Sequence, residues 1–354
     1  MIKRSGQQSV LKISLLALYL VFCCFPLPAH DVITTKVTFN KEVIRIFNQR
    51  CLACHQEGGF APMSLGTYAE ARPWAKAIKE EILERRMPPW NAAKGFGDYG
   101  NDRSLSQLEI ELLVDWVEGG APKGEDKDLP KPAVADDHGK PDLIVDGGTS
   151  AVVKSQRWIN AWMFTPASGA ADSAEFWIED AANKKTYLGA WVPPERFVAW
   201  PDDVAQSLPA GSRVIVKPHY PNGVTPDGNA IGPGRLALFF TDKPPLESIR
   251  HMSLPCGATA LPAAVAALAL LPRGPMEVEA ALPDGETDVL GLFRADKPGY
   301  HPTYRFRRPV VLPAGSKISA HPAGVESKGA ACTAMLTYVS PKSPRPARQD
   351  PHGQ

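Results

Sequence analysis

Residues 36–124 carry apolar positions at helical spacing. A first helix is predicted to begin at Phe39 and to run into residues 51–55. A second is predicted over residues 68–86, because apolar positions recur there at helical intervals and charged residues fill the opposite face. The apolar positions of this second helix are Ala71, Ala75, Ile78 and Ile82.

A third helix is predicted to begin after Ser106. Glu109 follows this serine at the spacing of a capping box, in which each side chain binds the backbone N–H of the other residue. A glycine pair and a proline within residues 119–122 are typical of a helix end. The predicted buried side of this helix consists of Leu108, Leu112 and Trp116.

Beyond residue 147 the pattern changes to short alternating or clustered runs of β-forming residues. Pro-Asn-Gly, Lys-Pro-Pro and Pro-Asp-Gly segments separate these runs, and such spacing predicts β-sandwiches. The predicted strands include residues 213–217, 235–240, 276–280 and 303–306.

Residues 125–147 show no period and are rich in Pro, Asp, Lys and Gly, which indicates an interdomain linker. We therefore predict a first sandwich over residues 148–248, a second over residues 249–340, and a disordered tail over residues 341–354. The 354-residue chain has a net charge of +1. This balance gives no reason to expect a nucleic-acid partner.

Residues 1–29 have the pattern of a secretory signal peptide, with cleavage predicted after Ala29. The apolar stretch Ile13–Phe25 is too short to span a membrane comfortably, and no later segment is long and apolar enough to do so. We therefore expect a periplasmic or secreted protein without a transmembrane span. An uncleaved anchor is an alternative. Lipidation at Cys23 or Cys24 is another, although Phe22 stands where a small residue is required.

Residues 51–55 read Cys-Leu-Ala-Cys-His, which is the attachment signature of a covalent c-type haem. In such a motif Cys51 and Cys54 bind the two vinyl groups of one porphyrin, and His55 binds its iron as the proximal ligand. The sequence therefore predicts one covalent haem c. A thiol–disulfide pair and half of a zinc site are the alternatives.

Met87 is the candidate for the sixth iron ligand, in the segment Arg86-Met87-Pro88-Pro89-Trp90. The two prolines stiffen this segment and would hold the thioether toward the iron. A soft Met sulfur opposite His raises the reduction potential, which suits electron transfer. Met63 is the competing ligand, although its position close behind His55 gives it a short reach to the opposite haem face. An ordinary core role is the alternative for Met87.

Removal of the signal peptide reduces six cysteines to four. If haem binds Cys51 and Cys54, then Cys256 and Cys332 remain as one candidate disulfide in an oxidising compartment. Two separate buried thiols are the alternative.

The stretch 36–124 resembles the cytochrome c-like domains of bacterial exported proteins. That resemblance implies an all-α cytochrome c domain. In this multidomain chain it would be followed by all-β jelly-roll-type sandwiches, which the resemblance of the later residues implies. The matching pieces are Phe39-Asn40-Lys41-Glu42-Val43, the haem motif, Ala61-Pro62-Met63-Ser64-Leu65, Thr67-Tyr68, Arg72-Pro73-Trp74, Met87-Pro88-Pro89-Trp90 and Asn101-Asp102-Arg103-Ser104-Leu105.

Residues 148–340 resemble, more faintly, the type II copper, ascorbate-dependent monooxygenases such as peptidylglycine α-hydroxylating monooxygenase and dopamine β-hydroxylase. The resemblance is carried by the following segments: Leu208-Pro-Ala-Gly-Ser212, Val214-Ile-Val-Lys-Pro-His219-Tyr220-Pro-Asn-Gly223, Arg235-Leu-Ala-Leu-Phe-Phe240, Leu282-Pro-Asp-Gly285, Thr303-Tyr-Arg-Phe306 and Val311-Leu-Pro-Ala-Gly315. The family fold is a pair of eight-stranded jelly-roll-type sandwiches, each holding one copper.

Most copper ligands that this resemblance implies are absent. His219 matches one of them, and it is a possible remnant copper ligand. Residues 171–175 stand where a histidine pair is expected, residues 267–271 replace a His-x-His pair with aliphatic side chains, and Ala331 replaces a methionine. Copper binding is therefore not expected. A site rearranged around His219 with His251, His301 and His321 is the alternative. Cys256 and Cys332 match positions where the family carries cysteines.

Together these features predict an exported monohaem c-type cytochrome for one-electron transfer, with His55 and Met87 as axial ligands. The β region would then dock a periplasmic redox partner protein or bind a ligand, and no catalytic residue is assigned. Two alternatives remain: a haem-tethered, copper-dependent monooxygenase, and a haem-based sensor in which a ligand displaces Met87.

Overall fold

A computed structural model describes residues 36–57, 61–131, 137–167, 171–220, 232, 234–294, 301–323 and 332–341. The predicted signal peptide and the predicted tail lie outside these residues, apart from Pro341. Within the described part, no helix combines the length and the apolar character that crossing a bilayer requires.

The helices of the described chain are short and all precede residue 130. A π-helical turn, Phe39–Val43, continues directly into helix α1, and a 3₁₀ turn, Arg72–Trp74, joins helices α2 and α3. A second 3₁₀ turn covers Asp126–Asp128. The helices are α1 (Ile44–Arg50), α2 (Tyr68–Ala71), α3 (Ala75–Leu83) and α4 (Gln107–Glu118).

The sequence predicted the starts and the buried faces of these helices unevenly. The capping box of Ser106 and Glu109 is confirmed, and the four apolar positions predicted for the second helix are all buried. That helix is nevertheless split by the 3₁₀ turn at Pro73, and it ends at Leu83 rather than at Arg86. In α4 the buried positions are Ile110, Leu113 and Trp116, whereas Leu108 is 64% exposed.

The prediction of an all-α cytochrome c domain at the start of the chain is wrong, because strands dominate the regular structure of the described residues and the longest α-helix has only 12 residues. The β-sandwiches predicted to follow it are present. Prolines contribute to this result, since Pro73 interrupts one helix and Pro88-Pro89 cannot continue another. The chain after Pro89 also leaves the helical cluster and pairs with β-strands.

Seventeen strands are present in the described residues after residue 140. Their bounds are β1 (Leu143–Asp146), β2 (Arg157–Thr165), β3 (Ser173–Glu179), β4 (Lys185–Trp191), β5 (Phe197–Ala199), β6 (Val204–Leu208), β7 (Arg213–His219), β8 (Arg235–Phe240), β9 (Glu247–Ser248), β10 (Arg250–Pro255), β11 (Gly257–Ala260), β12 (Val265–Arg273), β13 (Met276–Ala281), β14 (Thr287–Phe293), β15 (Tyr304–Leu312), β16 (Lys317–Pro322) and β17 (Thr333–Val339). The four strands predicted above are confirmed as parts of β7, β8, β13 and β15, except that Thr303 precedes β15.

The strands up to β9 form a first pair of sheets. One sheet has the order β1-β8-β2-β6-β9, with β5 also paired to β2, and the other has the order β4-β3-β7. Residues 148–153 run beside β7, where Ser150 N–H donates to the Val214 carbonyl at 2.8 Å. Apolar side chains from both sheets, such as Phe164 and Phe176, meet in one buried cluster. These two sheets therefore pack face to face as a sandwich.

The strands from β10 onward form a second pair of sheets, with the orders β10-β17-β12-β15 and β11-β16-β13-β14. Successive strands alternate between the two sheets except for β13 and β14, which pair within one sheet, and this is the strand order of an eight-stranded jelly roll. Leu270 on one sheet and Val278 on the other belong to the same buried cluster. Strands β10–β17 are called the second sandwich below.

Strand β12 explains how the two sandwiches join. Its apolar run is buried on both faces, which is why the sequence lacks the alternation of a half-exposed strand. Ala267 and Leu270 belong to the core of the second sandwich, whereas Ala266 and Leu268 pack with Val204 of the first. The aliphatic residues that replace the expected histidines thus lie in or beside the inter-sandwich contact.

Residues 90–101, called the arm below, connect the helical cluster to the second sandwich. Ala92 forms a β-bridge with Phe293 of β14, and Tyr99 forms one with Phe306 of β15. Strands β14 and β15 are the edge strands of different sheets. The arm therefore covers backbone groups on both edges, and it buries Ala92 and Tyr99 in the core of the second sandwich.

Cys256 and Cys332 form a disulfide with their Cα atoms 5.2 Å apart, within the usual range for such a bond. Cys256 directly follows β10, and Cys332 directly precedes β17. These two strands pair up to Pro255 and Thr333, so that the disulfide extends their ladder by one residue pair.

We expect the double substitution Cys256→Ser and Cys332→Ser to lower the free energy of unfolding by about 4 kcal/mol, because the bond closes a loop of 76 residues. Urea unfolding with and without reductant measures this change. Reductant should destabilise the wild type and leave the double variant unaffected. Equal stability of both proteins without reductant would contradict the prediction.

Candidate functional site

The Cys51–His55 motif lies in a tight turn directly after α1, whose C-terminal cap is Cys51. The backbone N–H groups of Cys54 and His55 both donate to the Cys51 carbonyl, at 3.0 and 2.9 Å. Farther along, Leu65 N–H donates to the His55 carbonyl at 2.9 Å. The two thiols and the imidazole are therefore carried by one compact loop.

The end of α1 that carries this loop is fixed to α4 by Arg50. Its Nε atom lies 3.0 Å from Glu109 Oε1, and its Nη1 donates to the Asp102 carbonyl at 3.2 Å. Glu109 also accepts the Ser106 backbone N–H in the capping box. The motif is thus held by the contact between α1 and α4.

Neither cysteine of the motif is in a disulfide, and both are half-buried. Burial raises the pKa of the Cys51 thiol to about 12, and the neighbouring Cys54 and Glu109 add to this effect. Cys51 is therefore a protonated thiol at neutral pH, which argues against the low-pKa cysteine of a thiol–disulfide exchange site.

His55 Nδ1 lies 3.2 Å from the carbonyl oxygen of Met63. Burial lowers the pKa of His55, so that the ring is neutral near pH 7 with its proton on Nδ1. This arrangement leaves the Nε2 lone pair for a metal ion, in the manner of metal-binding histidines that donate through their other nitrogen. Sequence reasoning missed this contact, because the partner is a backbone carbonyl and carries no side-chain signal.

The two candidate sixth ligands are placed differently. Met63 is half-buried against the helical cluster, and its backbone lies on the Nδ1 side of His55. Met87 is 38% exposed and lies outside the buried members of that cluster and the side chains packed on it. Its backbone N–H donates to the Glu81 carbonyl at 3.2 Å, so the start of its loop is fixed to the end of α3.

The histidines of the β region are occupied by separate partners. His219, at the exposed end of β7, places Nδ1 2.7 Å from Asp172 Oδ1, and His321 Nε2 lies 3.7 Å from Glu279. His301 lies in the segment before β15. Among the residues that the structure describes, no three His, Cys, Asp or Glu side chains converge to hold a metal ion. The rearranged histidine site is therefore not assembled by these residues.

His251 belongs to a hydrogen-bonded chain that crosses between the sandwiches. Its Nδ1 lies 3.1 Å from Thr337 Oγ1, and its Nε2 lies 3.2 Å from Gln206 Oε1. Gln206 in turn donates to the Tyr187 carbonyl at 2.6 Å. Because Gln206 Oε1 accepts only, the His251 ring donates through Nε2 and accepts at Nδ1. Burial lowers the pKa of His251 to about 4, so the ring is neutral at pH 7.

No family model matches the chain, and no curated protein matches it. Solved structures with some similarity include cAMP-bound PfPKA-R, with 9% identity and a TM-score of 0.15 over 55% of this chain and 68% of that one. Oxalate decarboxylase from Bacillus subtilis has 10% identity and a TM-score of 0.16, over 57% of this chain and 68% of that one. The tandem CBM22 domain of Xyn10C from Paenibacillus barcinonensis has 8% identity and a TM-score of 0.15, over 54% of this chain and 81% of that one. These TM-scores are too low to indicate a shared fold or function.

We expect the wild-type protein to lose roughly 2–3 kcal/mol of stability as the pH falls from about 6.5 to about 4 through the protonation of His251. The sign follows from its lowered pKa: the unfolded chain binds the proton first, so the contribution is complete above pH 6.5 and is lost below it. Denaturant unfolding at several pH values measures this loss.

His251→Asn should remove this component of the pH dependence, and the exposed His321→Asn should retain it. Identical pH profiles for the wild type and His251→Asn would contradict the assignment.

Proposed function

We propose that the protein is an exported electron carrier with one haem c bound covalently through Cys51 and Cys54 and with His55 as an axial ligand. The observation that carries this proposal is the contact of His55 Nδ1 with the Met63 carbonyl, beside two cysteines that are not in a disulfide. This contact keeps the Nε2 atom of His55 available for iron, and the turn that carries His55 also carries the two thiols.

The donor set fits a haem better than it fits zinc. A structural zinc site needs four ligands that converge on one point, and no three such side chains converge among the described residues. In a haem motif only the histidine binds the iron, while the thiols need to reach the porphyrin edge. A protonated Cys51 thiol and a neutral His55 are the states that this division of roles requires.

The helical region also offers apolar surface for a porphyrin to cover. Trp74, Leu83, Met87 and Leu108 are all exposed large apolar side chains there. Each of these side chains that a bound porphyrin contacted would be removed from water, which is favourable by about 25 cal/mol per Å².

Met87 is the sixth ligand in this proposal. The backbone of Met63 lies on the Nδ1 side of His55. If Nε2 held the iron, this side would face away from it, and Met63 would be poorly placed to supply the second ligand. Met87 has no such constraint, and the prolines after it restrict its loop. When bound, the haem supplies a one-electron ferric–ferrous couple, and a Met ligand raises its potential.

The β region is proposed to dock a periplasmic redox partner or to bind a ligand, without copper. His219 is the remaining candidate ligand from the copper family, and Asp172 orients its ring. The copper family has two metal sites, each built by several side chains. Among the described residues no such group of side chains comes together.

One observation favours a second candidate, a haem-based sensor. A methionine that is 38% exposed is accessible to displacement by a small diatomic ligand. Carbon monoxide distinguishes the two, because a carrier with a firmly bound Met87 does not bind it in the ferrous state.

We expect Cys54→Ser to lose at least one thioether bond to the haem, because the motif needs both thiols. Acid–acetone extraction and the pyridine haemochrome spectrum measure this loss on protein matured in the periplasm. The double substitution Cys256→Ser and Cys332→Ser is the control, since it removes cysteines outside the motif without leaving an unpaired Cys332 thiol, and it should retain full attachment. A pyridine haemochrome spectrum and an amount of extractable haem that are the same in Cys54→Ser as in the wild type would refute the proposal.

We expect Met87→Ala to lose the sulfur-to-iron charge-transfer absorption of the ferric protein and to lower the midpoint potential, while Met63→Ala retains both. The two variants remove the same side chain from the two candidate positions. Absorption spectra and a redox titration give the result. The reverse outcome would assign the sixth ligand to Met63.

A further inference from the structure

We propose that the arm, residues 90–101, positions Met87, so that the sixth coordination of the iron depends on the second sandwich. This inference rests on the proposed function, because it needs the haem and Met87 as its ligand. It goes beyond that function by assigning a role in the redox site to residues of a different part of the fold.

Met87 is fixed on its N-terminal side by α3. The backbone N–H groups of Arg86 and Met87 both donate to the Glu81 carbonyl, at 2.9 and 3.2 Å. Arg85 has a φ of 58°, a left-handed conformation that ends the helix and turns the chain outward. The helical cluster therefore determines where the Met87 loop begins.

On its C-terminal side Met87 is fixed by β14 and β15. Only Pro88 and Pro89 separate it from Trp90, whose ring packs edge-on against Tyr304 with centroids 4.6 Å apart. The arm then pairs with β14, since Arg294 N–H donates to the Asn91 carbonyl at 3.1 Å and Ala93 N–H donates to the Leu292 carbonyl at 2.8 Å.

The far end of the arm has a second attachment to the same sandwich. The Tyr99 hydroxyl donates to the Leu290 carbonyl at 2.7 Å in the core. Asn101 makes two hydrogen bonds with its side-chain amide: Nδ2 donates to the Thr303 carbonyl at 2.8 Å, and Oδ1 accepts the Arg305 N–H at 2.9 Å. Gly100 N–H also donates to the Arg305 carbonyl at 2.8 Å.

The thioether is thus carried by a short, proline-stiffened loop with one end on a helix and the other on a β-sandwich. Releasing the arm would unpair two sheet edges and expose the Tyr99 ring, so the docked state is strongly favoured. A displacement of the second sandwich relative to α3 must therefore be absorbed at Met87. This makes Asn101 and Tyr99 positioning residues for the iron ligand.

The test uses the full-length haem protein and Asn101→Ala, which removes both amide hydrogen bonds and retains every residue of the haem motif. Asn160→Ala is the matched control, because Asn160 Nδ2 likewise donates to backbone carbonyls, those of Trp200, Pro201 and Val204, within the first sandwich. The readouts are the midpoint potential, the sulfur-to-iron absorption, and hydrogen exchange at the Ala93 and Gly100 amides.

We expect Asn101→Ala to speed exchange at both amides and to weaken the preference of Met87 for ferrous iron about tenfold, which lowers the midpoint potential by about 59 mV. Asn160→Ala should change neither the potential nor these amides. A second variant acts from the sandwich side. A Cβ at Gly291 would lie 2.4 Å from the Tyr99 hydroxyl and 2.6 Å from the ring of Phe293, which pairs with Ala92 of the arm, so Gly291→Ala should give the same response.

Gly189→Ala, in which the new Cβ would lie 3.2 Å from Trp162 in the first sandwich, is the control for Gly291→Ala. Faster exchange in the arm with an unchanged potential and unchanged absorption would overturn this inference and leave the proposed function intact. An absence of covalent haem in the wild type would instead remove both.

Discussion

The pairing of the arm with the edges of the second sandwich is the contact on which the arrangement of this chain depends. An edge strand offers unpaired backbone groups, and here a segment from the N-terminal region satisfies those of β14 and β15 together. Because Tyr99 lies in the sandwich core, the helical region and the second sandwich cannot separate without opening that core. The two sandwiches are joined in turn by the doubly buried β12 and by the chain of hydrogen bonds through His251.

The candidate site depends on this framework at two points. Arg50 and Glu109 hold the turn that carries Cys51, Cys54 and His55 against α4. The arm holds the segment after Met87 against the sandwich. In the proposed carrier His55 is therefore supported by helices alone, whereas the loop of Met87 is attached both to a helix and to the second sandwich. Such a division would let the β region influence the potential without contacting the haem.

The sequence predicted what short-range patterns determine and missed what long-range backbone pairing determines. The capping box at Ser106 and the strands around residues 213–217 and 276–280 have local signals, and the structure contains them. The extent of the helical fold was wrong, since nothing local shows that Trp90 packs against Tyr304 or that Tyr99 is buried beside Leu290. Likewise, Leu108 is apolar but lies on the exposed side of α4, because Ile110, Leu113 and Trp116 form the buried face of that helix.

The central claim is the covalent attachment of one haem at Cys51 and Cys54, and the mass of the intact denatured chain tests it most directly. Protein matured in an oxidising compartment with the c-type haem attachment machinery should carry the added mass of one haem after unfolding in acid. Replacement of both Cys51 and Cys54 by Ser should remove this added mass completely. A wild-type chain whose mass equals that of the polypeptide alone, under the same maturation conditions, would contradict the account.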